Sequence, residues 1–309
     1  MGDGLGVSAA GLGRLALYFA GLRTRQGILA RAALGVPDPA DATLARELVA
    51  RLAAEVRPDG SVAGGAVPTI WRGHELLDLG AGPNHPTVAH LVAWLMNRQG
   101  EPGAYGEGCE KSHHLQRVCR HYVQGFFSAA PADRRLTPIT LPSGKAFRSE
   151  PAARFAISCF GLRLALRAGL GDRPGVVQHL DSLQRLAEQW TEWTGFFAPD
   201  AIVAGLHALA YGGAGYRRTV AGLVDLVSAH QGLDGFWPAA DGFATLEALL
   251  ATDHPEARRV MRRAAPALEE RQRKDGGFGA TAGQERALIV VRALRWAEGE
   301  RVLPPVRKV

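Results

Sequence analysis

One short phrase recurs along the chain, and its period constrains the fold more than any other feature. Leu95-x3-Gln99-x3-Gly103-x-Tyr105 returns as Val227-x3-Gln231-x3-Gly235-x-Trp237, and again as Leu268-x3-Gln272-x3-Gly276-x-Phe278. Weaker copies keep the glycine: Asp59-Gly60, Ser143-Gly144 and Thr194-Gly195-Phe196-Phe197. The six glycines stand at 60, 103, 144, 195, 235 and 276, with steps of 43, 41, 51, 40 and 41 residues. A near-constant step of that size marks a repeat architecture. Each part of the phrase has a physical task. The apolar residue and the glutamine lie one turn apart at the end of a helix, where an amide can cap carbonyls left without partners. The glycine supplies the positive φ that stops the helix. The aromatic two residues on is placed to fold back over the junction and stack on the glutamine.

The phrase resembles the Q-x3-G-x-W repeat of the terpenoid cyclases, and more widely the prenyltransferase and squalene-cyclase repeats. The match spans residues 40–298. It is fullest at Gln99, Gln231 and Gln272, partial at Gly195, and reduced to the glycine at Gly60 and Gly144. The resemblance implies an all-α fold, an α/α toroid of six inner and six outer helices with a ligand cavity inside the ring. It implies no particular chemistry, because the repeat is a structural seam. The catalytic signatures of the family are missing. There is no Asp-x-Asp-Asp run for protonating an alkene or epoxide, and no Asp-Asp-x-x-Asp for magnesium pyrophosphate. Asp241-Gly242-Phe243 stands where a protein prenyltransferase has the Asp-x-Cys of its zinc site, without the cysteine. No catalytic residue is carried over.

Periodicity and punctuation divide the chain into alternating helices. One or two helices over 8–34 form an N-terminal extension to about residue 38. Outer helices are expected near 42–56, 86–98, 174–190, 216–230 and 256–272. Inner helices are expected near 69–79, 111–127, 150–169, 199–211, 241–251 and 284–297. The stretch 129–146 reads as an irregular connection in place of a missing or vestigial outer helix. No Gly/Ser-rich or Pro-rich linker interrupts the series, so residues 1–309 are read as a single domain.

Composition narrows the function classes. At 47% apolar the chain can bury a large core, yet no apolar run approaches a membrane span. The stretch Leu15 to Leu22 lacks a basic start and a cleavage site, so it reads as a helix and not a signal peptide. Three cysteines in 309 residues point to a reducing compartment, hence a cytoplasmic protein. The net charge is +6, and Arg258, Arg259, Arg262, Arg263, Arg271, Arg273 and Lys274 crowd one outer helix. That is a solvated face or a patch for peripheral contact with an anionic membrane. No aromatics interleave with it as single-stranded nucleic acid would require, so nucleic acid is excluded as a partner.

The candidate site residues follow from polar stripes on the inner helices, which in a ring face the central hole. Cys109, His113, Arg117, Arg120 and His121 share one arc of the 111–127 helix. Asp200, His207 and Tyr211 lie on one line of the next-but-one, Asp241 heads a line with Thr245, His74 and Asp78 share a face with Trp71, and Glu150 aligns with Arg154. Buried charges must pair with each other, with water or with a ligand. His113, Asp200, His207 and Asp241 are the candidate acids and bases. His74, Arg117, Arg120, His121, Arg154 and Tyr211 are the candidate ligand-binding groups. Cys109 and His113, one turn apart, are zinc ligands by type, though they would need further ligands from a neighbouring helix. Otherwise no cofactor is expected. The reading is an enzyme that binds an isoprenoid-like or other small anionic ligand and transforms it by acid/base chemistry. A non-catalytic lipid or metabolite carrier and a carbohydrate-active toroid are the alternatives.

Overall fold

The structure, a computed structural model, describes residues 9–100, 105, 125–127, 136–193 and 199–299. Within them the helices are α1 (Ala9–Ala20), α2 (Arg25–Ala33), α3 (Asp41–Ala54), α4 (Ala66–Asp78), α5 (Pro86–Met96), α6 (Glu150–Arg167), α7 (Pro174–Ala187), α8 (Asp200–Leu209), α9 (Arg217–Ala229), α10 (Gly242–Leu250), α11 (Pro255–Arg271) and α12 (Gly283–Ala297). They form an α/α toroid. The even-numbered helices make an inner ring in which α2, α4, α6, α8, α10 and α12 pack in turn and α12 returns to α2. The odd-numbered helices lie outside, each against the inner helices beside it. None of the described helices is long and apolar enough to cross a membrane.

Local sequence explains the alternation. Outer helices are two-faced: α7 buries Val176, His179, Leu180, Leu183 and Ala187 on one side and leaves the other to solvent. Their starts are strong. Pro86, Pro174 and Pro255 occupy the first turn, and the imidazoles of His85 and His254 accept the backbone N–H of Thr87 and Glu256. Inner helices are covered nearly all round, as α6 is from Pro151 to Ala165.

The repeat phrase is the seam between successive outer helices. Gly235 and Gly276 have φ of 77° and 89°. Each also presses on the next outer helix: a Cβ at Gly235 would come within 2.6 Å of the Arg263 carbonyl in α11, and one at Gly276 within 2.8 Å of the Arg14 carbonyl in α1. The glutamines tie the same junctions. Gln231 Nε2 donates to the Gly235 carbonyl at 2.8 Å and to the Val260 carbonyl of α11 at 2.9 Å. Gln272 Nε2 does the same to Gly276 at 3.3 Å and to Gly11 of α1 at 3.4 Å. The amide therefore bridges two outer helices and does not cap the helix that precedes it. The aromatic acts there instead, since Trp237 Nε1 donates to the Val227 carbonyl of α9 at 2.9 Å.

Two expectations change, and a third falls outside the described residues. The first two helices are not an extension, because α2 takes a place in the inner ring and α1 one in the outer. The glycine step from 103 to 144 does not count a repeat. Gln99, at the end of α5, already lies against Gly175 at the start of α7, and the Tyr105 backbone N–H donates to Ser182 Oγ of α7 at 3.3 Å. Gly144 belongs to a small hairpin, β1 (Ile139–Thr140) paired antiparallel with β2 (Ala146–Phe147), whose turn closes through Gly144 N–H to Leu141 O at 2.8 Å. The inner helix expected over 111–127 lies, apart from residues 125–127, outside the described residues.

The seam geometry makes a stability prediction. Gly235→Val introduces both a β-branched residue at positive φ and a backbone clash, and should destabilise by roughly 2–4 kcal/mol. Gly222→Ala, at an exposed glycine inside α9 with open space around it, should instead stabilise by up to ~1 kcal/mol. Chemical denaturation of both variants checks this, and equal midpoints would remove the glycine from its seam role.

Candidate ligand cavity at the ring axis

Residues at the starts of α2, α4 and α12 surround one mouth. Gln26 of α2, Val67 and Pro68 of α4, and Gly283 to Glu285 at the start of α12 line an open cavity of about 520 Å³ there, together with Thr140 and Pro142 of the hairpin. Deeper on the axis is a chamber with about 50 Å³ of free space. The two spaces share Trp71, Pro142 and Glu285. The hairpin stands between them. Its Lys145 Nζ lies 2.7 Å from Asp200 at the start of α8, and Arg286 Nε donates to the Ser143 carbonyl at 2.9 Å.

The chamber wall changes character with depth. Phe147, Trp71 and Phe160 supply aromatic surface, with Ala156, Val203, Ala204 and Ala244 between them. Further in stand His207 of α8, Arg163 of α6 and Glu247 of α10, the last two 3.5 Å apart. Glu247 is partly exposed, but to this chamber, and burial pushes its carboxyl pKa up despite Arg163. A carboxyl in that setting keeps its proton to higher pH than in water.

At the floor, charge concentrates. Arg25 pairs with both Asp78 and Glu285, joining α2, α4 and α12, and stacks over Trp71 at 4.6 Å. Arg167 Nη2 donates to Asp78 at 2.6 Å, and its Nη1 to His74 Nδ1 at 2.8 Å. That contact leaves the His74 proton on Nε2, facing the Phe160 carbonyl at 3.4 Å. Burial raises the Asp78 pKa, but Arg167, Arg25 and Arg292 outweigh it and hold the carboxyl well below its ordinary range. Burial, reinforced by Arg167 and Arg163, keeps His74 neutral; burial, with Arg163, His74 and Arg167, does the same for His207.

The structure brings some of the sequence candidates together and separates others. Asp200 and Asp241 line the chamber near its mouth and His207 lies two turns deeper. Asp241 also caps α10, its carboxylate accepting the Ala244 N–H at 2.9 Å. His74 and Tyr211 sit at the floor, with the Tyr211 ring 6.0 Å from His207. Arg154 does not line the chamber. It pairs with Glu150 at 2.8 Å, while Glu150 accepts the N–H groups of Leu136 and Thr137 and so anchors the segment leading to the hairpin. Cys109, His113, Arg117, Arg120 and His121 lie outside the described residues. Among the described residues no three His, Cys, Asp or Glu side chains gather as metal ligands would.

Several chamber residues escape the sequence reading. On α10 the inward line is Asp241, Ala244 and Glu247, whereas Thr245 faces away, fully buried and bonded to the Asp241 carbonyl. On α6 it is Ala156, Cys159, Phe160 and Arg163, whereas Ser158 is buried against Phe127. The sequence of α6 holds no signal that sets Arg163 and Arg167 apart from Arg154 and Ser158.

The neutral histidines make stability depend on pH with a definite sign. In the unfolded chain they titrate near ~6.5. Below that pH the unfolded state takes up protons that the native state refuses, so stability falls as pH falls, by ~1.4 kcal/mol per pH unit for each histidine. Glu247 acts in the opposite sense. His207→Gln should therefore flatten the decline in melting temperature between about pH 6.5 and 5. An unchanged slope would mean that His207 is protonated in the fold.

No family model matches the sequence, and no curated protein matches it. Solved structures do. A variant of type II terpene cyclase MstE from Scytonema, in complex with its substrate geranylgeranyl dihydroxybenzoate, matches with a TM-score of 0.54 at 16% identity, over 92% of this chain and 86% of that one. The apo form of MstE matches with a TM-score of 0.54 at 16% identity, over 92% and 88%. A protein from Actinoplanes matches with a TM-score of 0.53 at 18% identity, over 89% of each chain. Likeness at these identities is a likeness of fold, and the chain is a terpenoid-cyclase-like α/α toroid.

Proposed function

We propose that this chain binds an isoprenoid-like small molecule along the ring axis and transforms it by proton transfer at the inner end of the chamber. Glu247 is the candidate acid and His207 the candidate base. The observation that carries the reading is a carboxyl whose pKa burial pushes up, at the end of a chamber whose approach is walled by Trp71, Phe147 and Phe160. An apolar wall suits a prenyl chain, and a carboxyl whose pKa is raised by burial is better suited to general acid catalysis than one in water. The chamber admits only the end of such a chain, at about 50 Å³, and the mouth cavity of about 520 Å³ would take the rest. The substrate and product bound by MstE in its complexes, geranylgeranyl dihydroxybenzoate and merosterolic acid A, support the ligand class by analogy of fold. Asp200, paired with Lys145, and Asp241, spent on the α10 cap, serve the mouth and the hairpin and not the proton transfer.

Farnesyl and geranylgeranyl diphosphates and a geranylgeranyl aryl acid, incubated with the protein and extracted for mass spectrometry, test this. Product is expected from at least one of them, with Glu247→Gln lowering turnover by roughly 100-fold or more while binding changes little. Tight binding of all three with no product would make the protein a carrier. Failure of all three to bind would end the isoprenoid reading, and uronate oligosaccharides would be the next substrates to try.

A further inference from the structure

The hairpin lies in the mouth of the ring without being one of its helices. It supplies Leu141, Pro142, Ser143, Lys145 and Phe147 to the chamber wall, and Thr140 and Pro142 to the mouth cavity. The two spaces border each other at Trp71, Pro142 and Glu285. A ligand that occupies both has to pass the hairpin tip.

Base and tip are held by different forces. At the base, one carboxylate gathers both ends of the segment. Glu150, at the head of α6, accepts the N–H groups of Leu136 and Thr137 at 3.0 and 3.1 Å and the Thr137 hydroxyl at 3.0 Å. Phe147 packs beside it on Ala153 and Ala156 of α6. Charge-assisted bonds and apolar burial are not replaced by water. The ladder between base and tip has only two residue pairs, and so short a hairpin has little stability of its own. At the tip the holds are polar. Lys145 Nζ lies 2.7 Å from Asp200, with the two side chains 19% and 30% exposed. Arg286 Nε donates to the Ser143 carbonyl at 2.9 Å, and Gly144, with φ of 85°, lets the turn approach that guanidinium. Water can satisfy Lys145, Asp200 and the carbonyl when these contacts open, and Arg286 keeps Asp241 at 3.8 Å and the Phe243 ring at 4.8 Å. The tip therefore yields before the base.

We propose that the hairpin is a gate between the mouth cavity and the inner chamber, hinged at Glu150 and latched at its tip by Lys145 on Asp200 and by Arg286 on the Ser143 carbonyl. Lifting the tip removes Pro142 and Ser143 from the boundary and joins the two spaces, while Phe147 stays with α6 as part of the wall. The gate rests on the axial ligand site proposed above, though not on the ligand being an isoprenoid.

Cys159 of α6 provides the test, because its side chain lines the chamber and the residue is 2% exposed. The full-length protein, without ligand, is treated with the small neutral reagent methyl methanethiosulfonate, and labelling of the peptide that carries Cys159 is followed by mass spectrometry. The rate is expected to be insensitive to low urea, as a local opening is. Lys145→Gln and Asp200→Asn should each speed labelling by roughly threefold or more, and the double variant no further than either alone. Added salt should speed the parent and neither variant, since it screens the pair they lack. Should Lys145→Gln fail to fold, the rate in Asp200→Asn decides. Labelling that follows global unfolding in its urea dependence, or an unchanged rate in the variants, overturns the gate. Because no ligand is present, prenyl compounds that fail to bind leave a positive result standing. Prenyl turnover together with unchanged labelling removes the gate alone.

Discussion

A ring is stable only if its last element returns to its first, and that closure is the constraint on which this structure depends. Here α12 packs on α2 and the loop between α11 and α12 on α1. The contacts are specific. Gln272 takes Gly11 O and accepts from Arg14 Nε at 2.8 Å, Thr24 bonds Gln284 at 2.9 Å, and Arg25 pairs with Glu285. Without closure, the inner faces of six helices would meet water. The sixth seam uses the same glutamine and glycine devices as the fifth, so the junction that joins the two ends of the described chain is built like any other.

Closing the ring creates an interior that is neither core nor solvent. Side chains facing the axis lose bulk water without gaining close-packed apolar neighbours, and the sequence fills that volume with charges in a graded arrangement. Aromatic and small residues line the approach, a carboxyl whose pKa burial pushes up and a neutral histidine stand at its inner end, and guanidinium groups gather below. The grading is mutually enforcing. Arg167, which helps to hold Asp78 ionised, also reinforces the burial that keeps His74 and His207 neutral, whereas burial outweighs the long contact to Arg163 at Glu247.

The fold was legible because its signals are local. Positive-φ glycines, proline at helix starts and a two-faced pattern on the outer helices place ten helices within a few residues of their observed bounds. The site was legible only where an inner helix keeps a contrast between faces. On α8, Asp200 and His207 both line the chamber, and on α4 Trp71 lines it while His74 and Asp78 bond Arg167. On α6, buried on nearly every side, serine and arginine appear at several angles and nothing in the sequence tells an axis-facing polar group from one bonded within the wall. Arg154 bonds Glu150 within the wall, whereas Arg163 lines the chamber and Arg167 bonds His74 and Asp78.

By itself, then, the sequence determined the repeat, the alternation of helices and the seams between them, since each depends on residues within a few positions of one another. The tertiary structure decided how many units the ring contains and which charges meet. The regular glycine step through Gly144 disguised a hairpin inserted before α6, and only packing moved α1 and α2 into the rings. The charged floor joins Arg25, Asp78, Arg167, Glu247 and Glu285, drawn from five different helices. Whether a buried polar group is matched depends on partners that chain order does not reveal, and that is why the unpartnered Nε atoms of Arg163 and Arg292 become visible only when the ring is closed.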